Sequence, residues 1–139
     1  MANMALNAAV GFFDATGFKY SRLEKDPNGL EAYYNMDNRD RLRVLIFFDE
    51  DGEAAKVCSW NVVDFPADKK EKMYAVCNEL NAQYRWVKFY VDEKDNSVTA
   101  EYDMDIDLDT CGKRVRSNCA TLASIVDKSY PTMMKAIWA

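Results

Sequence analysis

The chain has 139 residues, 49% of them apolar, carries a formal net charge of −5 and contains no histidine. A chain of this length buries roughly two thirds of its unfolded surface, so one domain spanning 1–139 needs no disulfide or metal staple, and the apolar share excludes disorder. Lys and Arg are interspersed with acids, so no basic face is available for nucleic acid or an anionic membrane.

The stretch before Lys19 has no Lys or Arg and no long apolar run. It is not a secretory signal, and no segment reaches the length of a membrane span, so a cytosolic protein is expected. Residues Asn3 to Ala15 read as a helix with a partly apolar face (Met4, Ala8, Val10, Phe12, Phe13), and Gly17 is its stop signal. Asp26-Pro27-Asn28-Gly29 is a turn, because Pro fixes φ and Asn-Gly tolerates positive φ. A short strand follows from Leu30 to Met36 with Tyr33 and Tyr34, and Asp37–Asp40 makes the next turn.

Leu42 to Phe48 is the strongest strand. Leu42, Val44, Ile46 and Phe48 share one face, and Arg43, Leu45 and Phe47 share the other. Both faces turn apolar toward its end, which predicts a central strand covered on both sides there. Asp49-Glu50-Asp51-Gly52 closes a hairpin into a strand over Glu53–Val63, with Val57 and Ser59 on one face and Cys58, Trp60 and Val62 on the other. Pro66 suits the first turn of a helix over Ala67–Tyr84, whose Met73, Val76, Cys77, Leu80 and Tyr84 form the inward stripe. Arg85–Val91 and Val98–Leu108 form a second hairpin. Thr110 is placed to cap a last helix running toward Trp138, with Gly112 weakening its start and Pro131 kinking or splitting it.

The order α-β-β-β-α-β-β-α predicts an α+β domain in which an antiparallel sheet packs against helices. Its central segments, VLIFFDEDGEAAKVCSW, VVDFPADKKEKMYAVCNELN and WVKFYVDEKDNSV, together with the closing SYPTMMKAIW, resemble the YbjN family of bacterial domains. The resemblance covers nearly the whole chain. It implies a fold like that of the small dimeric chaperones of type III secretion and, for function, a regulatory or chaperone-like role without a catalytic signature.

Enzymatic chemistry finds no foothold in the residues. Without histidine there is no imidazole base, no Ser-His or Cys-His pair and no common metal ligand. No P-loop or dinucleotide fingerprint occurs, and no cofactor is implied. Cys58, Cys77, Cys111 and Cys119 form no C-x-x-C pair and are expected as buried thiols, a disulfide or redox role being the alternative. The Asp49–Glu53 segment has its Gly too early for a calcium loop and reads as a hairpin turn.

Two constellations remain. Asp103, Asp105, Asp107 and Asp109 alternate with Met104, Ile106 and Leu108. On a strand all four carboxylates would share one face, as a solvated edge or as a row that attracts a cation or a basic peptide. Trp60, Trp86 and Tyr90, with Tyr33, Tyr34 and Phe47 on the other half of the sheet, lie on a second sheet face that is either buried under a helix or presented to a partner. The functional expectation is a non-catalytic module binding a protein segment or a second copy of itself through Trp60, Trp86, Tyr90, Tyr34 and Phe47. The alternative is a small-molecule sensor with a cavity between sheet and helices.

Overall fold

The computed structural model describes residues 3–139. Helix α1 spans Met4–Thr16 and strands β1 to β4 span Ser21–Arg22, Gly29–Tyr34, Leu42–Phe48 and Ala54–Asp64. A 3-10 turn at Ala67–Lys69 leads into α2, Lys70–Gln83, followed by β5, Lys88–Asp92, β6, Ser97–Asp105, and α3, Cys111–Trp138. The strands form one antiparallel sheet in the order β1-β2-β3-β4-β6-β5. The expected element order holds, with the addition of the two-residue edge strand β1, too short to leave a pattern.

Alternation decides which face is covered. Leu30, Ile46 and Val57 lie opposite one another across β2, β3 and β4, as do Phe48, Ala55 and Met104 across β3, β4 and β6. All belong to a single core that also takes the buried apolar residues of all three helices, among them Leu6, Phe13, Met73, Leu80, Leu122 and Met133. Each fully buried Leu, Ile or Phe there contributes roughly 1.5–3 kcal/mol. All three helices thus lie on one side of the sheet. As expected, β3 is a central strand covered on both sides near its end, since Leu45 on the second face is buried and Phe47 half-buried, but among the described residues the cover there is not a helix.

A bulge separates β4 from a regular strand. Between Ser59 and Val63 it advances four residues while β6 advances two, from Ala100 to Val98, and Asn61 adopts a left-handed conformation with φ of 52°. Val62, which simple alternation assigns to the face of Trp60, is rotated into the core by this bulge. At the far edge, the Asn81 side chain of α2 closes off β5. It accepts from the N–H of Phe89 at 2.7 Å and donates to its C=O at 3.0 Å, pairing backbone groups that no further strand engages.

Helix α3 runs unbroken through Pro131. Proline lacks the N–H that would bond the Asp127 carbonyl, and Asn38 Nδ2 donates to that carbonyl instead, at 3.1 Å. The Asp127 carboxylate in turn accepts from the N–H groups of Asp37 and Asn38 at 3.1 and 2.8 Å. The 37–40 turn therefore repairs the helix at the point where proline interrupts it. Arg39 extends the link, its guanidinium 5.5 Å from the Tyr130 ring centre and its Nη1 donating to the Val62 carbonyl at 2.6 Å.

The start of α3 also departs from expectation. Thr110 makes no side-chain cap; its N–H and hydroxyl both donate to Asp107 Oδ1, at 2.8 and 2.9 Å. Gly112 is not a mere weakness: a Cβ there would lie 2.6 Å from Phe12 Cβ and 2.9 Å from Phe12 Cγ, so glycine lets α1 approach α3. Gly112→Ala sets a helix-propensity gain of at most about 1 kcal/mol against an overpacking cost of about 1–3 kcal/mol. Because Phe12 Cβ is fixed to the α1 backbone, the cost dominates. The variant is expected to unfold at lower urea concentration with an unchanged slope; a rise in the midpoint would show that the helices have room to part.

Candidate functional site

Among the described residues no helix lies on the second sheet face, and its side chains cover one another. Glu31, Leu45, Cys58, Glu101 and Lys88 form one row across β2, β3, β4, β6 and β5. At its centre Leu45 and Cys58 are only 2% and 1% exposed although they stand outside the helical core. Around them lie Lys56, paired with Glu101 at 3.4 Å, and Arg43, paired with Glu31 at 2.6 Å. The aliphatic stems of such residues cover apolar neighbours while their charges stay in water. Exposed pairs of this kind contribute at most about 1 kcal/mol each, so they shape the face more than they stabilise it.

Above this floor stand the aromatic residues. Trp60 stacks on Phe47, ring centres 6.1 Å apart at 24°. Arg41 lies 4.1 Å over the Tyr33 ring. Tyr33, Trp60 and Tyr90 are 46, 55 and 45% exposed. Beside the Phe47–Trp60 stack a cleft of about 710 Å³ opens, walled by the 21–26 segment with β1 and floored by Glu31 and Arg43. The bulge at Asn61 follows directly after Trp60 and ends its regular pairing with β6.

Two of the expected aromatic anchors lie elsewhere. Tyr34 is opposite Leu42 on the helical face and packs half-buried against the core; burial drives its hydroxyl pKa upward. Trp86 does not share a face with Tyr90, because it lies ahead of β5 in a left-handed conformation with φ of 80°. Its indole, 60% exposed, stacks on Tyr102 at 6.2 Å and 5°, at the boundary between sheet and helices. A non-glycine residue held there costs about 1–3 kcal/mol. The displacement of Trp86 does not follow from alternation, whereas that of Tyr34 does, because it adjoins Tyr33 in β2. Likewise, the placement of Tyr33 with Glu31 and Arg43 on the polar side was readable from parity, and Arg41 and the 21–26 wall left no signal.

The acidic row does not form a single line. β6 ends at Asp105, so only Asp103 and Asp105 extend along the strand, while Asp107 and Asp109 lie in the following turn. Among the described residues no group of three or more Asp, Glu, Cys or His is arranged to hold a metal ion. The four cysteines are free and buried. Burial pushes the Cys58 thiol up to about 12, with nearby Glu101 adding to the effect, and Cys77 up to about 11. Such thiols are poor nucleophiles at neutral pH. Among the described residues no helix is long and apolar enough to cross a membrane.

This arrangement of six antiparallel strands backed on one side by three helices is shared with known proteins. A family model described as "Putative bacterial sensory transduction regulator", YbjN, matches residues 11–134. The chain belongs to the YbjN family. Its structure is similar to that of YbjN from E. coli, described as "a putative transcription regulator", with a TM-score of 0.67 at 12% identity over 92% of each chain. It is also similar to a chain of the ExsC–ExsE complex, with a TM-score of 0.51 at 15% identity over 93% of this chain and 90% of that one. The fold is thus the type III secretion chaperone-like one that the sequence resembles. No curated protein matches the sequence at a significant level.

Asp107 offers a pH test of the turn that diverts it from the row. The N–H of Thr110, and then its hydroxyl, hold the Asp107 carboxyl below its ordinary value of 3.8. A lowered folded-state value stabilises the fold above the ordinary pKa, and this is lost as pH falls through the lowered value. Asp107→Ala is therefore expected to lower the denaturation midpoint near neutral pH, with the deficit shrinking as pH falls through the lowered value. A deficit that persists undiminished at acid pH would contradict the charged cap.

Proposed function

We propose that this chain is a non-catalytic protein-interaction module, chaperone-like or regulatory, that holds a segment of a partner protein against the helix-free face of its sheet. The observation that carries this reading is the exposed Trp60 stacked on half-buried Phe47 beside the 710 Å³ cleft. Large aromatic side chains that are pre-positioned by stacking supply affinity with little ordering cost, and a surrounding rim of charge supplies orientation. The similarity in fold to a chain of the ExsC–ExsE complex supports a role in partner binding. The absence of histidine from the sequence and the raised thiol values of Cys58 and Cys77 give acid-base and nucleophilic catalysis no support. The reading takes the cytosol as the compartment and treats a homodimer partner as a competing occupant of the same face.

Capture of the tagged protein from its native cytosol tests this. The wild type is expected to recover one protein near stoichiometry. Trp60→Ala and Phe47→Ala are expected to weaken that recovery by about tenfold or more, the scale on which interface anchors act. Trp60→Ala should shift folding stability by no more than about 1 kcal/mol. Unfolding of both variants would assign these rings to the core and remove the site. Recovery of the bait alone, with thermal stabilisation by a metabolite, would favour the small-ligand reading instead.

A further inference from the structure

Strand β6 is longer than the strand that borders it. It pairs with β4 through Asp105, but with β5 only from Ser97 to Glu101. Continued pairing would set Val87, Trp86 and Arg85 beside Tyr102, Asp103 and Met104. Instead the N–H of Val87 turns back to the Arg85 carbonyl at 3.0 Å, and the left-handed Trp86 directs the chain away toward α2. This leaves a gap in the pairing along Tyr102–Asp105, bordered by the Trp86 ring stacked on Tyr102.

The hydrogen-bond register fixes what faces that gap. Phe89 directs its backbone groups outward to Asn81, so its neighbours Lys88 and Tyr90 bond β6 at Glu101 and Thr99. Odd-numbered residues of β6 therefore point their N–H and C=O toward the β5 side. On the other side, the N–H of Ile106 bonds the Glu53 carbonyl next to β4, as the alternation requires. Asp103 and Asp105 thus present backbone groups to the gap. The Asp105 carbonyl accepts there from Arg114 Nη1 at 2.9 Å, while no hydrogen bond among the described residues engages the backbone of Asp103.

We infer that this free edge of β6 accepts an extended partner segment by strand addition, and that the segment alternates cationic and apolar side chains. Its cations would meet Asp103 and Asp105, which are exposed on the helix-free side and take no part in the ion pairs of that face. Its apolar residues would meet Trp86, Tyr102 and Met104 in the cleft of about 420 Å³ at this edge, which Asp103, Asp105, Arg114 and Asn118 also line. Main-chain bonds then provide affinity and alternate side chains provide selection. A second copy of this chain is disfavoured as occupant, because two β6 edges in antiparallel register would set Asp103 and Asp105 against their own carboxylates. The inference rests on the reading of the chain as a segment-binding module, but uses a part of it that the Phe47–Trp60 cleft does not share.

The test uses a short fluorescein-labelled peptide alternating Lys and Val, followed by anisotropy, with two versions N-methylated on either the Lys or the Val amides. Only one set of amides can face β6. One methylated version is expected to bind about tenfold or more weaker and the other to match the parent. Asp103→Pro, which removes an N–H from the gap alone, is expected to lose the parent peptide, whereas Trp60→Ala keeps it. Equal binding of the two methylated versions, equal binding of a Glu-Val counterpart, or no saturable binding below about 1 mM overturns the inference. So does a dimer that Asp103→Pro dissociates, which would assign the edge to a second copy. Loss in Trp60→Ala with retention in Asp103→Pro overturns the edge and leaves the cleft reading standing.

Discussion

Burial of Leu42, Val44, Ile46 and Phe48 in one core shared with all three described helices ties these helices to one side of the sheet, and the remaining architecture follows from that asymmetry. Because strand side chains alternate, a row this apolar on one side leaves Arg43, Leu45 and Phe47 on the other, with no helix to bury them. The sheet closes that second side from its own surface. Leu45 and Cys58 are sealed by charged stems and aromatic rings, and what projects beyond them is a set of aromatic residues.

The β5 edge of the sheet and the longest helix carry local repairs that keep this single-sided layering intact. Asn81 occupies the outer backbone groups of β5, and Asn38 supplies the donor that Pro131 lacks. Gly112 removes the one Cβ that would hold α1 and α3 apart. Each repair is a side chain, or the absence of one, answering a problem that lies in another element of the fold. Local pattern therefore gives no sign of them.

The same distinction separates what was legible in the sequence from what was not. Alternation in LRVLIFF and the stripe of Met73, Val76, Cys77 and Leu80 identified the elements and their inner faces, because burial enforces period. Phe47 and Trp60 were legible as partners on one face for the same reason. The side assigned to Trp86 and Val62 was not. Trp86 and Val62 follow left-handed backbone at Trp86 and Asn61, where alternation breaks. Tyr34 was legible by the same parity that places Tyr33, since neighbours in a strand point to opposite faces, and it lies in register with Leu42 on the helical side. The aspartate row failed because Asp107 has a stronger local use, accepting from Thr110 at the start of α3.

The three tryptophans offer a direct reading of the central claim, that the helix-free face is the recognition surface. Trp60 lies on that face, Trp86 at the free edge of β6, and Trp138 at the end of α3, 80% exposed. In a nitrogen-15 correlation spectrum each indole N–H gives one signal, and the measurement is how each moves as the captured partner is added. The account predicts that the Trp60 signal shifts or broadens while that of Trp138 stays in place. Movement of Trp138 with Trp60 unchanged would contradict it, by assigning recognition to the helical side.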